Sequence, residues 1–317
     1  MKVAIFGGGA FGTAIASVIA RNDTDVMLHV RDASQRDSIN CLRMNLKYLP
    51  GIILPDRCKA TMDLHDLADV GVVFLAVPTS VILKTCRDIF PYLSKDVVVV
   101  NLAKGLHTSS LTMDVAMAGV LPQITIGSMK GPTFARPLLY GAKSGMTLAL
   151  ENQNKANEVE QIFNGSLITV ELWSNVSEIE FVSAIKNVLA IVMGICDGIE
   201  ENPNTRFKII HDLINEAHSL LKLFGFDSHV LFTYAGIGDL LLTSLNDQSR
   251  NRTLGLLIGR GFDFSSISNG PVLEGRRTVL LLVDYLEKMN VFHPLLSGLN
   301  DVFNKDLEPQ DFYERIR

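Results

Sequence analysis

Short apolar, β-branched runs alternate with helical patterns through the first half of the chain: Val3 to Phe6, Val26 to Val30, Val72 to Val77, Val97 to Val100 and Ile124 to Gly127. Alternation of this kind predicts a parallel sheet. Two further runs, Met146 to Leu150 and Leu167 to Leu172, flank a polar helical stretch from Asn154 to Phe163 and extend the same sheet. Beyond about Ser177 the strand-like runs stop. From Glu178 onward the apolar residues follow helical spacing, as at Phe207, Ile210, Leu213, Ile214, Ala217, Leu220 and Leu221. The pattern predicts an α/β domain with a mostly parallel sheet over residues 1–176 and an all-α domain over residues 177–317.

The first strand runs into Gly7-Gly8-Gly9-Ala10-Phe11-Gly12, and a helical pattern follows from Thr13 to Ala20. Strand, G-x-G-x-x-G and helix in that order form a dinucleotide-binding fingerprint, which makes the α/β domain Rossmann-type. Gly7 permits the tight turn, Gly9 lets the backbone approach a pyrophosphate, and Gly12 lets the helix pack close to the strand. The second strand ends at Arg31-Asp32. An acid there binds a ribose 2'-hydroxyl, a base there accommodates a 2'-phosphate, and either side chain can instead face solvent. The cofactor is therefore NAD or NADP.

From Phe181 to Cys196, Lys186 is the only charged side chain. The segment is too short and too interrupted for a membrane span and reads as a helix buried on most sides. Desolvation disfavours an ammonium, so a buried Lys186 is a candidate proton donor and acceptor near neutral pH. The competing readings are a lysine that snorkels to the surface or one paired with a carboxylate such as Asp239. Lys104 follows the fourth run, and Gly131-Pro132-Thr133-Phe134-Ala135 follows the fifth. Both lie beyond the carboxyl ends of strands, where ligands of open α/β sheets sit, although a lysine or a Gly-Pro in such a turn is by default merely exposed. Ser249, Arg250, Asn251 and Arg252 are either a solvated loop or a phosphate cradle, since a guanidinium fork with an adjacent amide and hydroxyl suits phosphate oxygens.

Composition narrows the partners. The 317 residues are 47% apolar and 20% charged with a formal net charge of -5. That leaves room for a large core and argues against nucleic acid and anionic membrane surfaces. Met1-Lys2-Val3-Ala4-Ile5-Phe6 has no signal-peptide pattern, which points to the cytoplasm. Cys41, Cys58, Cys86 and Cys196 have neither disulfide-framework nor zinc-ligand spacing, so reduced, mostly buried thiols and no metal are expected.

The order of motifs resembles the soluble, bacterial-type NAD(P)-dependent glycerol-3-phosphate dehydrogenases through most of the chain. It includes the opening glycines, Met44 to Gly51 with Leu54-Pro55, Ala76-Val77-Pro78, Lys104-Gly105-Leu106, Gly131 to Ala135, Ala184 to Val188, Gly236 to Arg252, and Val272-Leu273-Glu274-Gly275. The resemblance implies interconversion of sn-glycerol 3-phosphate and dihydroxyacetone phosphate with NAD or NADP, in a homodimer without stable membrane insertion that supplies phospholipid synthesis. It implies Lys186 as catalytic acid/base, supported by Lys104 and oriented by Asp239. Gly131, Thr133, Ser249, Arg250 and Asn251 join these three around the phosphorylated triose. Gly7, Gly9, Ala10, Phe11, Gly12, Arg31, Lys104, Ala135, Arg250, Val272 and Glu274 contact the cofactor. Arg252 is then structural.

Two departures stand out. Pro137 replaces an acid usual after Gly-Pro-x-x-Ala-x and bars a helical hydrogen bond there. Glu200-Glu201-Asn202-Pro203 replaces the glycines usual after Asp197-Gly198-Ile199. Two other readings stay open: a related dehydrogenase of 2-dehydropantoate or 6-phosphogluconate type, and, motivated by these departures, a dinucleotide-binding regulator without catalysis.

Overall fold

In the computed structural model, which describes residues 2–262 and 274–317, the chain divides into two compact units. One comprises Met1–Ala103 and Thr112–Ile179, the other Lys104–Leu111 and Glu180–Arg317.

The first unit is built on eight strands: β1 (Lys2–Phe6), β2 (Val26–His29), β3 (Cys58–Thr61), β4 (Val70–Leu75), β5 (Val98–Asn101), β6 (Thr125–Lys130), β7 (Ser144–Ala149) and β8 (Ile168–Trp173). They form one sheet in the order β3-β2-β1-β4-β5-β6-β7-β8. Every neighbouring pair is parallel except β6 and β7, which are antiparallel. The strands are nearly all apolar because both faces are covered. Val3, Ile5, Val72, Phe74, Val98 and Val100 point into one core, while Ala4, Phe6, Val73, Leu75, Val97 and Val99 point into the other. Helices α1 (Ala10–Arg21), α2 (Ala33–Leu42), α5 (Ala135–Leu139) and α6 (Gln153–Gln161) supply side chains to the first core, and α3 (Ile82–Ile89) and α4 (Met113–Ala118) supply the second.

β3 is the strand that the hydrophobic pattern did not predict. Its Cys58-Lys59-Ala60-Thr61 lies at the sheet edge with Lys59 exposed, so it carries little of the apolar run that marks the central strands.

The second unit is helical, as the periodicity predicts. It holds all but the first turn of α7 (Val176–Ile199), then α8 (Pro203–Leu223), α9 (Asp239–Leu245), α10 (Arg250–Gly259), α11 (Glu274–Lys288), α12 (Pro294–Asn304) and α13 (Pro309–Ile316). α7 has 24 residues and outruns the Phe181–Cys196 segment. By length and composition it is long and apolar enough to cross a membrane, which corrects the expectation of too short a segment; its apolar window is buried throughout the structure, as in a core helix.

Both departures fold without disruption. Pro137 sits at the third position of α5, a first-turn position whose amide would lack an intrahelical acceptor in any residue. Asn202 caps α8, its side chain accepting from the Asn204 and Thr205 amides, and Pro203 takes the first helical position. The glycine-free segment is therefore a helix start. Glu200 accepts the Tyr313 hydroxyl, and Glu201 lies 3.6 Å from Arg206. Cys58, Cys86 and Cys196 are buried and Cys41 is exposed, all four as free thiols. Burial pushes each of the three up to about 12, so they are inert at neutral pH.

Candidate functional site

In the first unit the glycine loop bends between β1 and α1. Gly7 has φ +116, a left-handed conformation that favours glycine, and a Cβ there would stand 2.3 Å from the Ala76 carbonyl oxygen. A Cβ on Gly12 would stand 2.1 Å from the Gly7 oxygen, whereas a Cβ on Gly9 would meet nothing within 4 Å. The middle glycine thus faces open space, and the outer two are hemmed in by backbone.

Gly9 is also the N-cap of α1, with no side-chain cap and no acid in the first turn. The first amides of α1, from Ala10, Phe11 and Gly12, lack intrahelical acceptors, and the positive end of the helix dipole is uncompensated. An open cradle at an uncapped helix N-terminus fits a pyrophosphate. Sequence reasoning missed what anchors the loop: the buried side-chain amides of Gln35 and Asn45 both donate to the Gly8 carbonyl, at 2.5 and 2.9 Å, and Asn45 also donates to Thr13. Asn45 belongs to the Met44 to Gly51 motif, but nothing local reveals its partner 37 residues away.

At the end of β2, Arg31 is exposed, while Asp32 caps α2 through the Ser34 amide and pairs with Lys47 at 3.2 Å. Hydrogen bonds from Ser34 and Lys47 hold the Asp32 carboxyl down at about 2. Beyond β6, the Thr133 hydroxyl lies 2.5 Å from that of Ser144, which itself donates to the Pro132 carbonyl. The Thr133 hydroxyl is thus tied to Ser144, and either of the two oxygens can be the donor. Ala135 opens α5, and Gly131 is buried so closely that a Cβ would stand 2.4 Å from the Gly145 oxygen.

The second unit assembles the titratable residues. Asp239, the first residue of α9, follows Gly236, where a Cβ would stand 2.4 Å from the Leu231 oxygen. One Asp239 oxygen accepts from Lys186 Nζ at 2.5 Å and the other from Lys104 Nζ at 2.6 Å. Lys186 and Asp239 are 4% and 2% exposed at the side chain and Lys104 is 22% exposed. The group is thus two ammoniums bridged by one carboxylate, with Lys104 its accessible member. Between snorkelling to the surface and pairing with a carboxylate, Lys186 pairs with Asp239.

Burial pushes the Lys186 ammonium down to about 7; the nearby Asp239 carboxylate opposes that shift and the like charge of Lys104 adds to it. Burial alone would raise Asp239, but the two ammoniums outweigh it and hold the carboxyl below its ordinary value. Thr243, one turn along α9, was missed: its hydroxyl accepts from Lys186 at 2.9 Å and lies 3.4 Å from Asp239. Its signal was available, because residues four apart share a helix face.

Helix α10 carries the polar cluster. Ser249 is its buried N-cap, accepting from the Arg252 amide, while Arg250 is exposed at the first helical position. The Asn251 side-chain oxygen accepts from the Gly275 amide at 3.3 Å, which leaves its NH2 group to donate elsewhere. A Cβ on Gly275 would stand 2.8 Å from that oxygen and 2.9 Å from the Asn187 carbonyl, so Asn251 is held beside the residue that follows Lys186. Arg252 turns away into ion pairs with Asp197 and Asp247, the structural role expected of it. Glu274 opens α11. Val272 lies outside the described residues.

A Rossmann-type sheet with an open glycine cradle, and a helical unit with a buried lysine-carboxylate pair, define the class of NAD(P)-dependent dehydrogenases. Comparisons with known proteins narrow that class. Residues 2–156 match the family model of the NAD-dependent glycerol-3-phosphate dehydrogenase N-terminus, and residues 175–314 match that of its C-terminus. The chain belongs to the NAD-dependent glycerol-3-phosphate dehydrogenase family. A relative from Teredinibacter turnerae, named glycerol-3-phosphate dehydrogenase (NAD(P)+), is 32% identical over 322 residues, covering 100% of this chain and 93% of its own length. A relative of the same name from Halorhodospira halophila is 34% identical over 309 residues, covering 96% and 92%. The crystal structure of glycerol-3-phosphate dehydrogenase from Coxiella burnetii superposes with a TM-score of 0.89 at 28% identity, covering 99% of this chain and 98% of that one.

Proposed function

We propose that the protein interconverts sn-glycerol 3-phosphate and dihydroxyacetone phosphate with NAD or NADP, with the glycine cradle of the first unit binding the dinucleotide and the second unit, which carries Lys104, Lys186, Arg250 and Asn251, binding the triose. The observation that carries the reading is the buried Asp239 carboxylate bridging Lys186 and Lys104 in a chain of this family. When bound at the α1 N-terminus, the nicotinamide cofactor supplies or accepts a hydride. Gly7, Gly9 and Gly12, with the amides of Ala10 and Phe11, would receive its pyrophosphate, and Arg31 and Ala135 would add contacts.

In the reducing direction the C2 carbonyl oxygen gains negative charge, and the Lys186 ammonium gives it a proton; in the oxidising direction the neutral Lys186 amine takes the C2 hydroxyl proton. Lys104 adds positive charge beside that oxygen. Asp239 orients both lysines, and Thr243 holds Lys186 from the side. Arg250 and Asn251 bind the phosphate, with the Ser249 cap fixing the turn that presents them.

The enzyme acts in the cytoplasm as a homodimer and supplies glycerol 3-phosphate for phospholipid synthesis. An absorbance assay of NADH and NADPH oxidation with dihydroxyacetone phosphate and with 2-dehydropantoate, run beside NAD and NADP reduction with 6-phosphogluconate, tests the reading. Turnover with dihydroxyacetone phosphate alone is expected. Cofactor binding without turnover on any of them would leave a regulator instead.

A further inference from the structure

The contact between α7 and α10 shows how the phosphate end is held at a set distance from Lys186. Gly194 and Gly198 on α7 face Gly255 and Gly259 on α10, four residues apart on each helix. A Cβ on Gly255 would stand 2.0 Å from the Ile191 oxygen, one on Gly194 2.2 Å from the Arg252 oxygen, and one on Gly259 2.3 Å from the Ile195 oxygen. The backbones therefore touch, and the pairing rises together along both chains, so the two helices run parallel. This brings the first turn of α10 level with Asn187 to Ile191, beside Lys186.

A smooth glycine seam sets depth but resists sliding only weakly, because it has no side chains to interdigitate. A buried ion pair between Asp197 and Arg252 sits at this seam. Asp197 lies eleven residues after Lys186, which is three helical turns to within about 20°, so both project from one side of α7, about 16 Å apart along its axis. Its side chain is only 3% exposed. One oxygen accepts from Arg252 Nη2 at 2.7 Å and the other from Arg206 Nε at 2.7 Å. Arg252 is thereby tied to α7 just two residues after Arg250 and one after Asn251. A guanidinium held by a buried carboxylate has directional hydrogen bonds, and these define the axial register that the glycines leave open.

We propose that Asp197 is a positioning residue for the substrate phosphate: through Arg252 it fixes the register of α10 on α7, and so the placement of Arg250 and Asn251 relative to Lys186. This rests on the phosphate assignment of Arg250 and Asn251 made above.

The test measures kcat, KM for dihydroxyacetone phosphate and the inhibition constant of inorganic phosphate competing with it, for wild type, Asp197→Asn, Arg252→Lys and Arg250→Ala. Small misplacements of binding groups are amplified in affinity, so Asp197→Asn should raise KM and the phosphate constant together by about tenfold, with kcat held within about threefold. Arg252→Lys keeps the charge but loses the fork; it should move both constants the same way by less, and it carries the test should Asp197→Asn fail to fold. A role confined to stability would lower the melting temperature and leave both constants in place, which would overturn the inference. A fall in kcat with KM unmoved would do the same. If Arg250→Ala raises both constants while Asp197→Asn and Arg252→Lys raise neither, only the inference falls. If Arg250→Ala raises neither, the phosphate assignment falls and takes the inference with it.

Discussion

Replacing Asp239 by asparagine keeps the shape of the side chain and removes the one charge that two buried ammoniums share. The carboxylate is 2% exposed and accepts from Lys186 at 2.5 Å and from Lys104 at 2.6 Å, so water cannot take its place without rearrangement. Removing one partner of a buried ion pair costs about 3 to 5 kcal/mol, because a charge is left without compensation. The cheapest relief is for Lys186 to release its proton, since burial and Lys104 already press it down and Asp239 alone among its charged neighbours opposes them. One pKa unit corresponds to about 1.4 kcal/mol, so recovery of even half of that cost moves Lys186 down by one to two units from about 7. At neutral pH the protonated fraction, and with it the reducing kcat/KM, should then fall by about five- to fiftyfold. The assay is the pH profile of kcat/KM for dihydroxyacetone phosphate, with circular dichroism confirming the fold. The midpoint of the variant should shift to acid, with partial recovery of rate at low pH. A folded variant with an unmoved midpoint would refute the claim that Asp239 sustains the charged form of Lys186.

Further outcomes follow from the same geometry. In the wild type, reduction needs protonated Lys186 and should decline as pH rises through about 7, whereas oxidation needs the neutral amine and should rise over the same interval; profiles in both directions check the sign. Thr243→Val removes a hydroxyl 2.9 Å from Lys186 and should cut kcat about fivefold with little change in KM, as steady-state kinetics would show. Arg250→Ala should raise KM for the phosphorylated triose by about tenfold to a hundredfold, the worth of a charged hydrogen bond, in the same assay. Gly255→Ala places a methyl 2.0 Å from the Ile191 oxygen and should destabilise by about 2 kcal/mol or more in urea unfolding, since backbone must move to admit it.

The parts of the molecule legible in the sequence are those whose signals are local. Seven strands were readable because each is a β-branched run, and the glycine fingerprint because strand, turn and helix adjoin. β3 was not, since Cys58-Lys59-Ala60-Thr61 gains strand geometry only from pairing with β2. Lys186 could be singled out as a lone charge in an apolar helix, but whether it snorkels, pairs or reacts depends on Asp239, 53 residues further on, and on Lys104, which reaches Asp239 across 135 residues. Glu200 to Pro203 stands out in the sequence only because the usual glycines are missing. Its Asn-Pro pair was in fact a helix-start signal, which composition alone could have supplied. The antiparallel β6-β7 pairing and the Gln35 and Asn45 anchors on Gly8 are long-range choices that no local pattern encodes.

The central claim is that Lys186 moves the proton in a nicotinamide-dependent reduction of dihydroxyacetone phosphate. The direct measurement is NADH or NADPH oxidation by purified wild type and Lys186→Ala at saturating dihydroxyacetone phosphate. General acid catalysis contributes about 10²- to 10⁴-fold, so the wild type should turn over and the variant should lose kcat by that order while retaining its fold. Near-normal turnover by a folded Lys186→Ala protein would contradict the account.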